Sequence, residues 1–168
     1  MITELWNATR DMHHACEQHV VGGAMASGKP HIEWFAAWIR ALEQIHTRID
    51  PHMPLAVHRV SRLQADLTEL GLNPPPIAAA AAYIEQLTDE KSIAGACYVL
   101  TGAHLMGGEV MRRRLDGYPT NHLVWDDRKE ALSVLSTYRT RTDINEQARN
   151  CFIALLKVMD EIKEVYPQ

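Results

Sequence analysis

Apolar residues recur along this chain at intervals of three and four and scarcely alternate, so the sequence can build helices but almost no sheet. The clearest case is Trp34, Phe35, Trp38, Ile39, Leu42 and Ile45, which line one side of a helix opened by Pro30 and closed by Asp50 and Pro51. Trp34 and Trp38, one turn apart, read as core packing. The same spacing predicts a first helix from the N-cap Thr3 to the Gly22 and Gly23 pair, with Leu5, Ala8, Met12, Ala15, Cys16 and His19 on its inner side. Further helices are predicted over residues 54–70, 77–87, 90–115, 125–138 and 143–165. Pro74, Pro75 and Pro76 form a stiff connector rather than a domain linker. The expected class is all-α. The 168 residues, 46% hydrophobic and 23% charged, suit a single domain spanning 1–168.

Composition removes several classes of function. A net charge of −4 leaves no broad excess of Lys and Arg for nucleic acid. Cys16, Cys97 and Cys151 lie far apart in apolar helical surroundings, as expected of reduced thiols in a cytoplasmic protein. The N-terminal residues lack a basic region followed by an apolar one, and no stretch reaches the roughly 18 apolar residues of a membrane span. The expectation is a protein neither exported nor membrane-bound.

Two stretches carry the chemical information. Residues 95–111 form an apolar helical run with glycines at 95, 102, 107 and 108. Each glycine costs a helix about 1 kcal/mol relative to alanine, so the run lets something approach its backbone, either another helix or a large flat ligand. The first helix gathers Arg10, Asp11, His13, His14, Cys16, Glu17 and His19, of which Arg10, His13 and Glu17 share a face. His13 and Glu17, at i and i+4, suit a metal whose other ligands come from other helices, a single histidine on haem iron, or a solvated polar face. His31, His46, His52, His58 and His122 show no mutual ligand spacing and are expected mostly at the surface. Arg112, Arg113 and Arg114 read as a solvated helix end or as a docking patch for an acidic electron donor.

The segment Ala8, Thr9, Arg10, Asp11, Met12, His13, His14, Ala15, Cys16, Glu17 resembles the N-terminal pattern of haem oxygenases, Ala-Thr-x-x-x-His-x-x-x-Glu. Leu63, Asp66, Leu67, Leu70 and Gly71 are similar to a segment of bacterial members, and Tyr138, Arg139, Thr140, Arg141 to a Tyr-Arg-x-Arg run in some of them. Ala148 to Phe152 fits the family's last helix, and the glycine run from Tyr98 resembles its distal helix. The order of these segments spans nearly the whole chain.

The resemblance implies a multihelical bundle with haem sandwiched between the first helix and a glycine-kinked distal helix. His13 is then the proximal iron ligand, oriented by Glu17. Gly102, Gly107 and Gly108 become the distal wall that leaves room for dioxygen. Arg10, Arg139 and Arg141 pair with the propionates, and Tyr98 stands at the same edge. The implied reaction cleaves haem, both substrate and cofactor, to biliverdin, carbon monoxide and ferrous iron. Electrons come from a ferredoxin or a reductase, and a phytochrome-type photoreceptor is a plausible acceptor of the biliverdin.

The distal motif departs from the family pattern. Thr101, Ala103 and Met106 replace a common Glu, Ser and Gly, and His104 falls where animal-type members place a water-organising aspartate. His104 is read as a distal proton donor or water anchor, as a second axial ligand, or as a structural histidine away from iron. Two other readings follow: a non-catalytic haem- or bilin-binding relative, and a di-iron oxygenase on the same architecture.

Overall fold

A computed structural model describes residues 2–168 and contains nine α-helices and no strand among them. The expected first helix is two. α1 (Glu4–Gln18) stops where His19 takes an extended conformation, and α2 (Val20–Ser27) starts at once, because the His19 Nδ1 accepts from the Val21 amide. The other ring nitrogen of His19 lies 2.8 Å from Asp160. His19 is therefore a corner and not part of a continuous apolar face. α3 (Ile32–Ile49) is the buried helix expected, with Trp34, Phe35, Ile39, Leu42 and Ile45 in the core and Trp38 half-buried.

Residues 54–70 are less helical than their periodicity suggests. Two 3₁₀ turns, Asp50–His52 and Leu55–Val57, precede α4 (Val60–Leu70). Asp50 explains the delayed start: its Oδ2 accepts from the amides of Arg59 and Val60 at 2.8 and 3.0 Å, and so caps α4 from outside the helix. Glu161 does the same for α5 (Ala78–Gln86), accepting from Ala78 and Ala79. α6 (Glu90–Gly102) opens with a capping box of Asp89 and Ser92. A π-helical turn over Ala103–Gly107 follows, then α7 (Gly108–Arg114). α8 (Arg128–Arg139) starts at the Asp127 cap, and α9 (Asn145–Val165) closes the fold.

α9 is the spine on which α6, α1, α5 and α3 all pack. Gly95 sits at the α6–α9 crossing, where a Cβ would lie 2.6 Å from the Gln147 carbonyl carbon and 2.8 Å from the Ala148 nitrogen. This glycine of the run serves helix packing. Gly28, at φ +80°, ends α2 against the Arg114 carbonyl and so ties α2 to the end of α7. α1 and the π-containing helix are thus anchored on the same spine and joined at one end.

Candidate functional site

The π turn sets which way the glycine run faces. One residue more per turn shifts the helical phase, so Thr101, His104, Leu105 and Gly108 are buried while Ala103, Met106, Gly107 and Val110 are exposed. The turn is held from outside, since Arg128 donates to the Leu105 carbonyl at 3.0 Å. Of the three glycines expected to form a distal wall, Gly107 alone opens onto free space. The Cβ direction of Gly102 points to Leu135 at 3.9 Å, and that of Gly108 to Leu123 at 3.3 Å. The open stripe of this helix therefore consists of Gly107 with Ala103, Met106 and Val110, which the plain 3.6-residue period does not reveal.

His104 lies on the other side of that helix, 5% exposed, stacked on His46 with ring centroids 5.3 Å apart. Its edge meets His122 at 5.6 Å. This geometry turns the His104 ring toward the core and away from the exposed stripe, the placement expected of the structural reading. It corrects the surface placement of two other histidines. His46 and His122 are buried, each held at Nδ1 by a buried carboxylate: Asp50 at 2.8 Å and Asp66 at 2.6 Å. His31 and His52 are exposed as expected, and His58 is half-buried. Arg59 completes the cluster, donating to the His122 and Val124 carbonyls and stacking on Trp125 at 3.7 Å. Burial holds its guanidinium down at about 10.

Burial holds two of these imidazoles, His46 and His104, toward the neutral form. Burial drives His104 well below 6.5, reinforced by the facing His46, His122 and Arg59. Burial also lowers His46, against the pull of Asp50. For Asp50, burial pushes the carboxyl up, but the His46 ring and the Val60 and Arg59 amides outweigh it and keep the group below the usual carboxylate range. A histidine lowered on folding binds fewer protons in the native state than in the unfolded one. Its contribution is complete above 6.5 and is lost as pH falls below that value. Melting temperature should be flat at mildly alkaline pH and fall below 6.5, by up to about 1.4 kcal/mol of stability per pH unit for each histidine. His104→Leu should flatten the slope in thermal melts across that range; an equally steep fall would mean other groups set it.

On α1, His13 sits against Trp6 and Phe152, with ring centroids 5.6 and 6.2 Å away. Its Nε2 is 3.5 Å from Glu17, and its Nδ1 is buried without a partner. Arg10 is exposed and Arg139 half-buried, and neither side chain makes an ion pair or hydrogen bond among the described residues. Tyr98 is half-buried beside the Thr9 hydroxyl and Arg139, with its phenol pushed up by burial. Tyr98 of α6 thus links Arg139 of α8 to Thr9 of α1, the chain neighbour of Arg10. Arg141 does not join them. Its guanidinium is spent on Glu90 and Asp143, where it ties the start of α9 to the start of α6. The basic run after the π turn is also partly consumed: Arg112 and Arg113 meet Glu109 at 3.2 and 3.4 Å, and Arg114 donates to the Ala26 carbonyl. The three cysteines are free thiols, raised by burial to about 11 for Cys16 and about 12 for Cys97 and Cys151. No helix among the described residues is long and apolar enough to cross a membrane.

The sequence matches no protein-family model and no curated protein. Solved structures are similar over nearly the full chain. Haem oxygenase from Leptospira interrogans superposes with a TM-score of 0.80 at 16% identity, covering 94% of this chain and 97% of that one. Haem oxygenase-1 from the cyanobacterium Synechocystis sp. PCC 6803, solved with haem, gives 0.83 at 17% identity over 96% of this chain and 91% of that one. Haem oxygenase-2 of the same organism, solved with haem and NO, gives 0.82 at 18% identity over 96% and 84%.

Proposed function

The chain has the fold of the haem oxygenases, and from that premise we propose that it binds haem between α1 and the π-containing helix and cleaves it to biliverdin, carbon monoxide and ferrous iron. The observation that carries this reading is the α1 ring itself: His13 keeps a buried nitrogen without a partner, one turn from Glu17 and one turn from the uncommitted Arg10. A porphyrin with one axial position and two carboxylates needs that donor set. When bound, haem supplies the iron and the ring that reacts with dioxygen, and the organic chemistry is its own.

The residues divide that task. His13 would be the axial donor, and Glu17, 3.5 Å from its second nitrogen, would orient the ring through an intervening water. Arg10 and Arg139 receive the two propionates, with the Tyr98 hydroxyl between Thr9 and Arg139 as a further donor. Ala103, Met106 and Val110 present apolar surface that would exclude water from the bound group, and Gly107, without a side chain, leaves that surface open. His104 acts from behind this wall, as a positioning residue whose stack on His46 holds the π turn in register. The reaction requires an external electron donor, a ferredoxin or a reductase, and a cytoplasmic setting suits the three reduced thiols. A phytochrome-type protein is the natural acceptor of the product.

Hemin titration followed by a reductant in air tests the reading. A Soret band that gives way to the broad red absorption of biliverdin supports it. A Soret band stable under those conditions would make the chain a haem- or bilin-binding protein, and no band would remove haem altogether. His13→Ala should lose the axial ligand and change the spectrum; an unaltered one would exclude His13 as the donor.

A further inference from the structure

We propose that His13, His14 and Glu17 form a second kind of site when haem is absent, one that takes a single divalent transition-metal ion of the zinc, nickel or copper class. Their ligand atoms all lie within 4.8 Å of one another, the one group of three or more such side chains so arranged among the described residues. The His13 Nε2 is 3.5 Å from Glu17 Oε1, and the His14 Nδ1 is 3.7 Å from Glu17 Oε2. Both separations exceed a hydrogen bond. Two ligands each about 2.0 to 2.1 Å from a tetrahedral ion stand roughly 3.4 Å apart, so the carboxylate is spaced from both imidazoles nearly as an ion would hold it. The sequence spacing left the remaining ligands to other helices, whereas in the structure the third donor is the adjacent His14.

The donor set defines the class of ion. Two imidazoles and one carboxylate suit a borderline cation and match neither the oxygen shell of calcium or magnesium nor the thiolates of a structural zinc site. Three protein ligands leave one position to water, and the exposure of His14 and Glu17, 64% and 54%, keeps the ion exchangeable. The nearest other charges are Arg10, one turn earlier, which opposes a cation, and Asp11, which is committed to Arg149 at 2.8 Å. An ion on His13 Nε2 takes the nitrogen and the Glu17 carboxylate that orient the ring in the haem reading, so metal and haem exclude each other. That exclusion rests on the haem reading, and the metal site itself does not.

Calorimetric titration of the untagged, haem-free chain with zinc sulfate tests the site. One equivalent should bind, and His14→Ala should weaken it about tenfold or more, at least the loss that removal of an outer-shell partner causes. Glu17→Gln should act in the same direction, while far-UV circular dichroism of both variants stays that of the parent. His14→Ala should leave the hemin spectrum unchanged, and hemin added to the zinc-loaded parent should release the ion. Binding that His14→Ala leaves intact would overturn the proposal, as would the absence of stoichiometric zinc binding or simultaneous retention of zinc and hemin. A parent that binds zinc in this way but never binds hemin would keep the metal site and sink the haem reading.

Discussion

Asp66→Ala is expected to destabilise the protein by about 4 kcal/mol, because a buried, fully hydrogen-bonded carboxylate leaves several donors stranded when it is removed. Asp66 is 0% exposed and accepts four hydrogen bonds, from the Asn121 amide at 2.7 Å, the Asn121 side chain at 2.8 Å, the His122 amide at 3.2 Å and His122 Nδ1 at 2.6 Å. His122 is buried, so neither its amide nor its ring can reach water without opening the packing of α4 against the 3₁₀ turn Asn121–Leu123, whereas Asn121 is half-buried. Denaturant unfolding measures the loss. The double variant Asp66→Ala, His122→Leu should recover part of it, since one stranded donor disappears with its ring. A loss under about 1 kcal/mol for the single variant, the scale of one neutral hydrogen bond, would show that the carboxylate does not organise this region.

Gly95→Val is the second large effect. Its side chain would enter the α6–α9 crossing, where even a Cβ meets the Gln147 carbonyl carbon at 2.6 Å and the Gln147 Cβ at 2.7 Å. Backbone atoms cannot step aside as a flexible side-chain tip can, so the two helices must separate over the core residues they share. The cost should reach about 3 kcal/mol, at the upper end for overpacking, or roughly 6 to 12 °C in melting temperature for a domain of this size. Gly107→Ala supplies the contrast, since its Cβ meets nothing within 4 Å. It should leave the melting temperature unchanged or raised. Equal destabilisation by both would mean that the run is intolerant of side chains in general and that the crossing has no special role.

These two cases show where reading the chain succeeded and where it stopped. The glycine run offered a helix partner or a flat ligand, and the structure divides the run between them: Gly95 lies against α9, and Gly107 opens outward. Spacing could not sort them, because the π turn inserts a residue that moves every later side chain around the axis. The family resemblance put Gly102, Gly107 and Gly108 on one wall, whereas in the structure Gly107 shares its open stripe with Ala103, Met106 and Val110. The Tyr-Arg-x-Arg run made Arg141 a propionate partner by resemblance, yet only a fold that brings Glu90 beside it decides its use. His46 and His122 carried no signal at all, since their partners Asp50 and Asp66 become informative only when α3, α4 and the Asn121–Leu123 turn converge.

What residues within a few positions of one another can settle was already present in the chain: the helical class, the Thr3 cap, the buried face of α3, and the pairing of His13 with Glu17 one turn apart. These depend on spacings of three and four, which a helix converts directly into neighbours. Which side of the glycine run is open, which histidines are buried, and which arginines remain free depend on how helices cross and on a single extra residue in one turn. Contacts between α6 and α9, or among His46, His104 and His122, join residues far apart in the chain, and no local periodicity specifies them.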